Sequence, residues 1–162
     1  MNSSLIAYFF PYFLLLMELS WCFKVSEEFK PKILIFSTNF ISDLAIDLTG
    51  LLHRHYPVTT SIIRVPCSSM IRPDIILYAF QCGFDGVFVA ADGTDCPFLK
   101  DCSDRTAKRI SEAIELLKEH GIKPERLKMS AICSVCVEPF LKHIHDLYEK
   151  VKNLGPIKKK TE

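Results

Sequence analysis

The sequence predicts an α/β domain, a four-stranded parallel sheet with flanking helices in a flavodoxin-like or Rossmann-like three-layer arrangement. Short apolar runs rich in β-branched residues alternate four times with longer amphipathic segments. Gly83, Gly121 and Gly155 each follow one of the amphipathic segments, at the position where helices commonly end. Because parallel strands are joined by crossover connections, this alternation indicates a parallel sheet with helices on both faces.

The strands are predicted at 32–37, 61–66, 85–91 and 127–132, and the helices at 42–56, 72–83, 103–121 and 137–155. The third strand, within DGVFVAA, is apolar throughout and is expected to be buried on both faces. The third helix has the clearest amphipathic pattern, carried by Ile110, Ala113, Ile114 and Leu117.

The first helix carries four leucines on one face, which predicts that this face packs on the sheet. These leucines are Leu44, Leu48, Leu51 and Leu52. Ser42 or Asp43 is expected to cap its amino end.

Three regions are predicted: a hydrophobic leader or dispensable extension at 1–30, the α/β domain at 31–156, and a basic tail at 157–162. Residues 5–23 are nineteen residues whose only charge is Glu18, close to the ~20 that a membrane span needs. No basic residue precedes Lys24, which argues against a signal peptide.

A kink at Pro11 or a start of translation at Met17 would weaken or remove the span. We therefore expect a cytoplasmic protein, with membrane contact through 5–23 only if the leader is retained. The formal net charge of +1 argues against a nucleic-acid binder, because no strongly basic face is available without an acidic one to balance it.

Five of the seven cysteines lie in the segments that follow predicted strands: Cys67, Cys96, Cys102, Cys133 and Cys136. Since the carboxyl ends of parallel strands meet at one edge of a sheet, we expect a metal site there. The C-x-x-C spacing at 133–136 is typical of two thiolates that bind one metal ion. Zinc or an iron–sulfur cluster would take further ligands from other loops. The alternatives are that Cys133 and Cys136 form a redox-active pair, or that the cysteines are small side chains that only fill the core.

The remaining two thiols are expected elsewhere, Cys22 in the leader and Cys82 in the core at the end of a helix. The turn after the first strand, STNFISD, lacks the glycines of a phosphate-binding loop. Nor does a Ser-His-Asp or paired-carboxylate arrangement stand out, so no catalytic residue is predicted.

From about Lys32 to Gly155 the chain resembles the delta, iron–sulfur subunit of methyl-viologen-reducing hydrogenase. Four blocks carry the resemblance in order: KILIFSTNF, IIRVPCSSMIRPDIILYAF, GFDGVFVAADGTDC and LLKEHGIKPERL. It implies a non-catalytic electron-transfer subunit with a [2Fe–2S] cluster, found in methanogens and related anaerobes. The implied partners are a hydrogenase or formate dehydrogenase and the flavoprotein of heterodisulfide reductase.

The chain departs from the family pattern at three of its five cysteines. Thr38 and Ile41 occupy the family's C-x-x-C, and Ala91 or Asp92 replaces a third thiol, whereas Cys67 and Cys96 are kept. A [2Fe–2S] cluster takes four ligands, so the family's site is not present unchanged.

Two hypotheses remain open. Either Cys102, Cys133 and Cys136 rebuild the ligand set around Cys67 and Cys96, or the chain is a cluster-free structural or regulatory paralogue. The second would keep the docking surface and bind zinc or no metal.

Overall fold

The computed structural model describes residues 28–93, 96 and 99–157. The expectations for the hydrophobic segment at 5–23 and for tail residues 158–162 lie outside this part of the chain. No helix within the described residues is long and apolar enough to cross a membrane.

The predicted alternation of strands and helices is confirmed. The strands are β1 (Ile33–Thr38), β2 (Thr60–Val65), β3 (Gly86–Ala91) and β4 (Leu127–Ala131). The helices are α1 (Ser42–Leu51), α2 (Pro73–Gln81), α3 (Cys102–Glu119) and α4 (Val137–Leu154). Two short 3-10 turns, Ser68–Met70 and Pro124–Arg126, precede α2 and β4.

The four strands form one parallel sheet in the order β2-β1-β3-β4. Every residue of the central strands β1 and β3 is buried. Helices α1 and α4 cover one face, where Ala45 and Phe140 pack with Ile35 of β1. Helices α2 and α3 cover the other face, where Ile76 and Leu117 share a core with the alternate residues of β1 and β3. The three-layer architecture follows directly from this arrangement.

The prediction for the packed face of α1 is wrong for Leu44, Leu51 and Leu52, whereas Leu48 is partly buried against the core. Leu44 and Leu51 are 48% and 76% exposed, and the helix instead buries Ala45, Ile46 and Thr49. Ala45 and Ile46 belong to the core shared with β1 and β3, and Thr49 is fully buried. The predicted cap is also wrong, because Ile41 occupies the N-cap position and makes no side-chain capping bond.

Helix α1 also ends earlier than predicted, at Leu51 rather than at residue 56. His53 adopts a left-handed conformation with φ of 53°. The His53 amide donates to Gly50 O and the Arg54 amide donates to Thr49 O, which is the pair of bonds that closes a Schellman motif. Gly83 and Gly121 close α2 and α3 with the same two bonds and with positive φ, as the sequence predicted.

Substituting Gly86, at the start of β3, with Ala should destabilise the fold by about 1–3 kcal/mol through overpacking. A Cβ there would lie 2.8 Å from Ile33 Cδ1 and 2.9 Å from Val151 Cγ2. Gly50 of α1 is the matched control, because a Cβ at Gly50 meets nothing within 4 Å. Gly50→Ala should stabilise the protein by up to about 1 kcal/mol. Urea unfolding of both variants measures the difference, and equal effects would contradict the packing of β3.

Candidate metal centre

The crevice of this sheet lies at the carboxyl ends of β1 and β3. The chain leaves β1 toward β2 on one side and then crosses to β3 on the other side of β1. In open parallel sheets, ligands bind at this reversal of strand order, outside the carboxyl ends. We call this side of the sheet the carboxyl edge.

Two thiols from different segments of the chain meet at the carboxyl edge. Cys67 follows β2, and Cys102 is the first residue of α3; their Sγ atoms are 3.0 Å apart. Cys102 is fully buried and Cys67 is partly buried. Ser68 holds the pair in place, because its Oγ lies 3.3 Å from Cys102 Sγ and 3.1 Å from Thr106 Oγ1. This contact joins the loop after β2 to the beginning of α3.

The two thiols differ in acidity. Burial raises the pKa of Cys67, and its hydrogen bond with Cys102 raises it further. Burial opposes ionisation of Cys102 as well, but hydrogen bonds from Cys67, Ser68 and Ser69 outweigh that effect and lower the pKa of Cys102. Cys102 is therefore the more acidic thiol of the pair. The thiolate is the form of cysteine that binds metals.

A carboxylate and a third thiol lie beside this pair. Asp92 directly follows β3 and is 2% exposed, and Cys96 is 6% exposed. Cys96 Sγ lies 3.7 Å from Asp92 Oδ2. One oxygen of Asp92 and the sulfurs of Cys96 and Cys102 all lie within 4.8 Å of one another. We refer to Cys67, Cys96, Cys102 and Asp92 as the donor set.

The structure joins Cys133 and Cys136 to each other in a disulfide. Cys133 is exposed and Cys136, the residue before α4, is half-buried. A sulfur in a disulfide offers no thiolate, so either residue would ligate a metal only after reduction. Their role as ligands stays a prediction. Cys82 is exposed, so its expected place in the core is wrong.

Comparison with known proteins identifies the family. Residues 33–155 match the family model of the methyl-viologen-reducing hydrogenase delta subunit. The chain belongs to this family.

Relatives of this delta-subunit family carry informative names. The iron-sulfur subunit of the F420-non-reducing hydrogenase from Archaeoglobus profundus is 33% identical over 135 residues, covering 83% of this chain and 98% of the relative. The iron-sulfur subunit of the vhc F420-non-reducing hydrogenase from Methanococcus voltae is 34% identical over 134 residues, covering 82% of this chain and 92% of the relative. A subunit of the ferredoxin:CoB-CoM heterodisulfide reductase from Methanosarcina mazei is 34% identical over 128 residues, which are 78% of this chain but 16% of that relative.

A hydroxyl at the carboxyl end of β1 contacts the donor set. Thr38, the last residue of β1, donates from Oγ1 to Asp92 Oδ1 at 2.5 Å. The Thr38 amide donates to Ser42 Oγ at 2.7 Å, and Ser42 Oγ donates in turn to the Ala90 carbonyl at 2.8 Å. These bonds fix Thr38 against β3 and orient the carboxylate of Asp92.

Reasoning from the sequence named three of the four donors but did not name Asp92 as a ligand. A signal was present, since Asp92 is the first residue after a wholly apolar strand and precedes Cys96 by four positions. Ser68 and Thr106, which position Cys102, have no such signal, because isolated hydroxyl residues are common in loops and helices.

The burial of the thiols predicts their order of alkylation in folded, metal-free protein purified in air. Cys82 should react first, because it is exposed, and Cys96 and Cys102 should react slowly. Cys133 and Cys136 should react only after a reductant is added, because their disulfide offers no thiolate. Peptide mapping after iodoacetamide treatment measures each rate. Labelling of Cys133 without reductant at the rate of Cys82 would contradict the disulfide.

Proposed function

We propose that this protein is a non-catalytic electron-transfer subunit that holds a [2Fe–2S] cluster at the carboxyl edge. It links a hydrogenase or formate dehydrogenase to a flavoprotein of the heterodisulfide-reductase type. The observation that carries this proposal is the meeting of Cys96, Cys102 and Asp92 within 4.8 Å of one another, with Cys67 Sγ 3.0 Å from Cys102 Sγ.

The residues present fit an iron–sulfur group by their chemistry. Three thiols and one carboxylate give four anionic donors, the number that such a group takes from a protein. When bound, the group accepts and releases one electron at a time. The protein's own part is to supply deprotonated sulfur, to keep bulk water away through the burial of Cys102 and Asp92, and to present the centre near its surface.

The length of the relatives supports the choice of partner. In the Methanosarcina mazei protein, the region similar to this chain is 16% of a longer subunit of heterodisulfide reductase. In that protein, the region similar to this chain and the rest of the reductase subunit belong to one polypeptide. A separate chain of the same family is therefore expected to dock on a flavoprotein of that type.

Exposed apolar side chains at the carboxyl edge provide a surface for this docking. Met70, three residues after Cys67, is 57% exposed, and Val135, between Cys133 and Cys136, is 73% exposed. Large exposed apolar groups are unfavourable in water and are typical of protein–protein contacts, where Met is enriched. A partner that covers Met70 would stand next to Cys67.

Protein purified without oxygen should be brown and should contain iron. Cys67→Ser should lose most of this iron, because the substitution removes a thiolate that has no substitute in the loop after β2. Cys82→Ser is the control and should keep the iron content of the wild type, since Cys82 is exposed at the end of α2. Iron and zinc analysis measures both. A colourless protein that carries zinc or no metal would support the cluster-free structural or regulatory alternative instead.

Tagged protein should copurify with redox subunits from an anaerobic lysate of its source at low salt. Met70→Glu should abolish copurification without changing the iron content, because it places a charge on the apolar surface beside Cys67. Val58→Glu is the matched control: Val58 is 97% exposed but precedes β2, at the opposite edge of the sheet. Equal recovery of partners with both variants would contradict docking at the carboxyl edge.

A further inference from the structure

We infer that Asp92 is a metal ligand and that Asp92 and Cys102 replace thiolates that this chain lacks. The inference rests on the proposed function, since it names the ligands of the group that the proposal places here. Asp92 and Cys96 would hold one iron of the cluster, and Cys67 and Cys102 would hold the other.

The surroundings of Asp92 first point to a cation. Buried carboxylates in proteins are paired with a cation or coordinate a metal, because an isolated buried charge is costly. Asp92 is 2% exposed and is contacted by the Thr38 hydroxyl and by the Cys96 thiol. Within the described ranges, no ion pair joins it to a Lys, Arg or His.

Asp43 provides the contrast within the same sheet edge. It is also buried, at 5% exposure, and lies just beyond the carboxyl end of β1. Its carboxylate accepts a hydrogen bond from Ser37 and pairs with Arg64 Nε at 2.8 Å. One buried acid therefore has a guanidinium partner, and the other faces two thiols.

The spacing of the donors then assigns them in pairs. Two thiolates bound tetrahedrally to one metal at about 2.3 Å are separated by about 3.8 Å. Cys67 and Cys102, at 3.0 Å, and Cys96 and Asp92, at 3.7 Å, are the two close pairs. The two pairs are adjacent, because Cys102 Sγ lies within 4.8 Å of both members of the second pair. Two pairs of protein ligands are what the two irons of a [2Fe–2S] cluster require.

Unequal ligation has a measurable consequence. In Rieske centres, two histidines replace the two cysteines on one iron, and the reduction potential rises. A carboxylate in place of one thiolate likewise makes the two irons of this centre different.

The thiols of the donor set must lose their protons on binding, so metal uptake should release protons.

Substitution of Asp92 tests the inference in full-length protein purified without oxygen. Asp92→Ala should lose most of the iron, whereas Asp92→Cys should keep it, because a thiolate at the same position restores a fourth ligand. The visible and electron paramagnetic resonance spectra of Asp92→Cys should differ from those of the wild type, and its midpoint potential should be lower. Asp43→Asn is the matched control and should keep the iron content and both spectra of the wild type.

Circular dichroism and gel filtration of each variant establish whether it is folded. If Asp92→Ala does not fold, the spectra and midpoint potential of Asp92→Cys still test the inference. The inference is overturned if folded Asp92→Ala keeps its iron, or if Asp92→Cys has an unchanged spectrum. In either case loss of iron in Cys67→Ser would leave the proposed function intact. Stoichiometric zinc without iron, lost in Asp92→Ala, would support the four ligands but overturn the electron-transfer function. Absence of any metal would overturn both.

Discussion

The contact between β1 and β3 is the constraint on which the rest of the protein depends. Both strands are buried along their whole length, with helices packed on each face. Polar and charged groups can therefore approach the centre of the sheet only at its two ends. At the end near the strand starts, buried Arg126 donates to the carbonyls of Asp85 and Gly155 and ties β3 to α4. At the other end, Asp92 is surrounded by hydroxyl and thiol groups. The guanidinium of Arg126 is therefore satisfied by carbonyl oxygens of the chain itself. The carboxylate of Asp92 instead lies beside cysteine thiols, which can bind metals.

Most of the fold was predictable because its signals are local. The apolar runs that became β1 and β3 are short and continuous, and the periodic pattern of α3 is unambiguous. The face of α1 was not predictable in the same way. Leucines predominate on one side of that helix, yet its side with Ala45 and Thr49 packs on the sheet. Hydrophobicity alone favours the leucine face. Which face packs also depends on how well the side-chain volumes fit the neighbouring elements, and that fit is a property of the tertiary structure. The early end of α1 had no glycine to indicate it, because His53 takes the left-handed position.

The candidate site was predictable to the extent that topology determines it. A thiol shortly after a parallel strand is expected at the carboxyl edge, and this placed Cys67 and Cys96 correctly. Cys102 was harder, since it lies beyond a loop and within the first turn of α3, and its contact with Cys67 depends on how α3 packs. The C-x-x-C spacing of Cys133 and Cys136 fits a metal and a disulfide equally well, so the spacing alone does not choose between them. Asp92 has no motif of its own, and its significance depends on burial that the sequence does not display.

The exposed thiol of Cys82 has a practical consequence. It follows α2, and α2 runs antiparallel to the strands, so Cys82 lies at the edge opposite the donor set. Strands of six residues span about 20 Å. A nitroxide attached to Cys82 would thus sit roughly the length of one strand away from any paramagnetic centre held by the cysteines at the other edge. A pulsed dipolar measurement between that label and a paramagnetic metal centre would give their distance and thereby test where the metal binds.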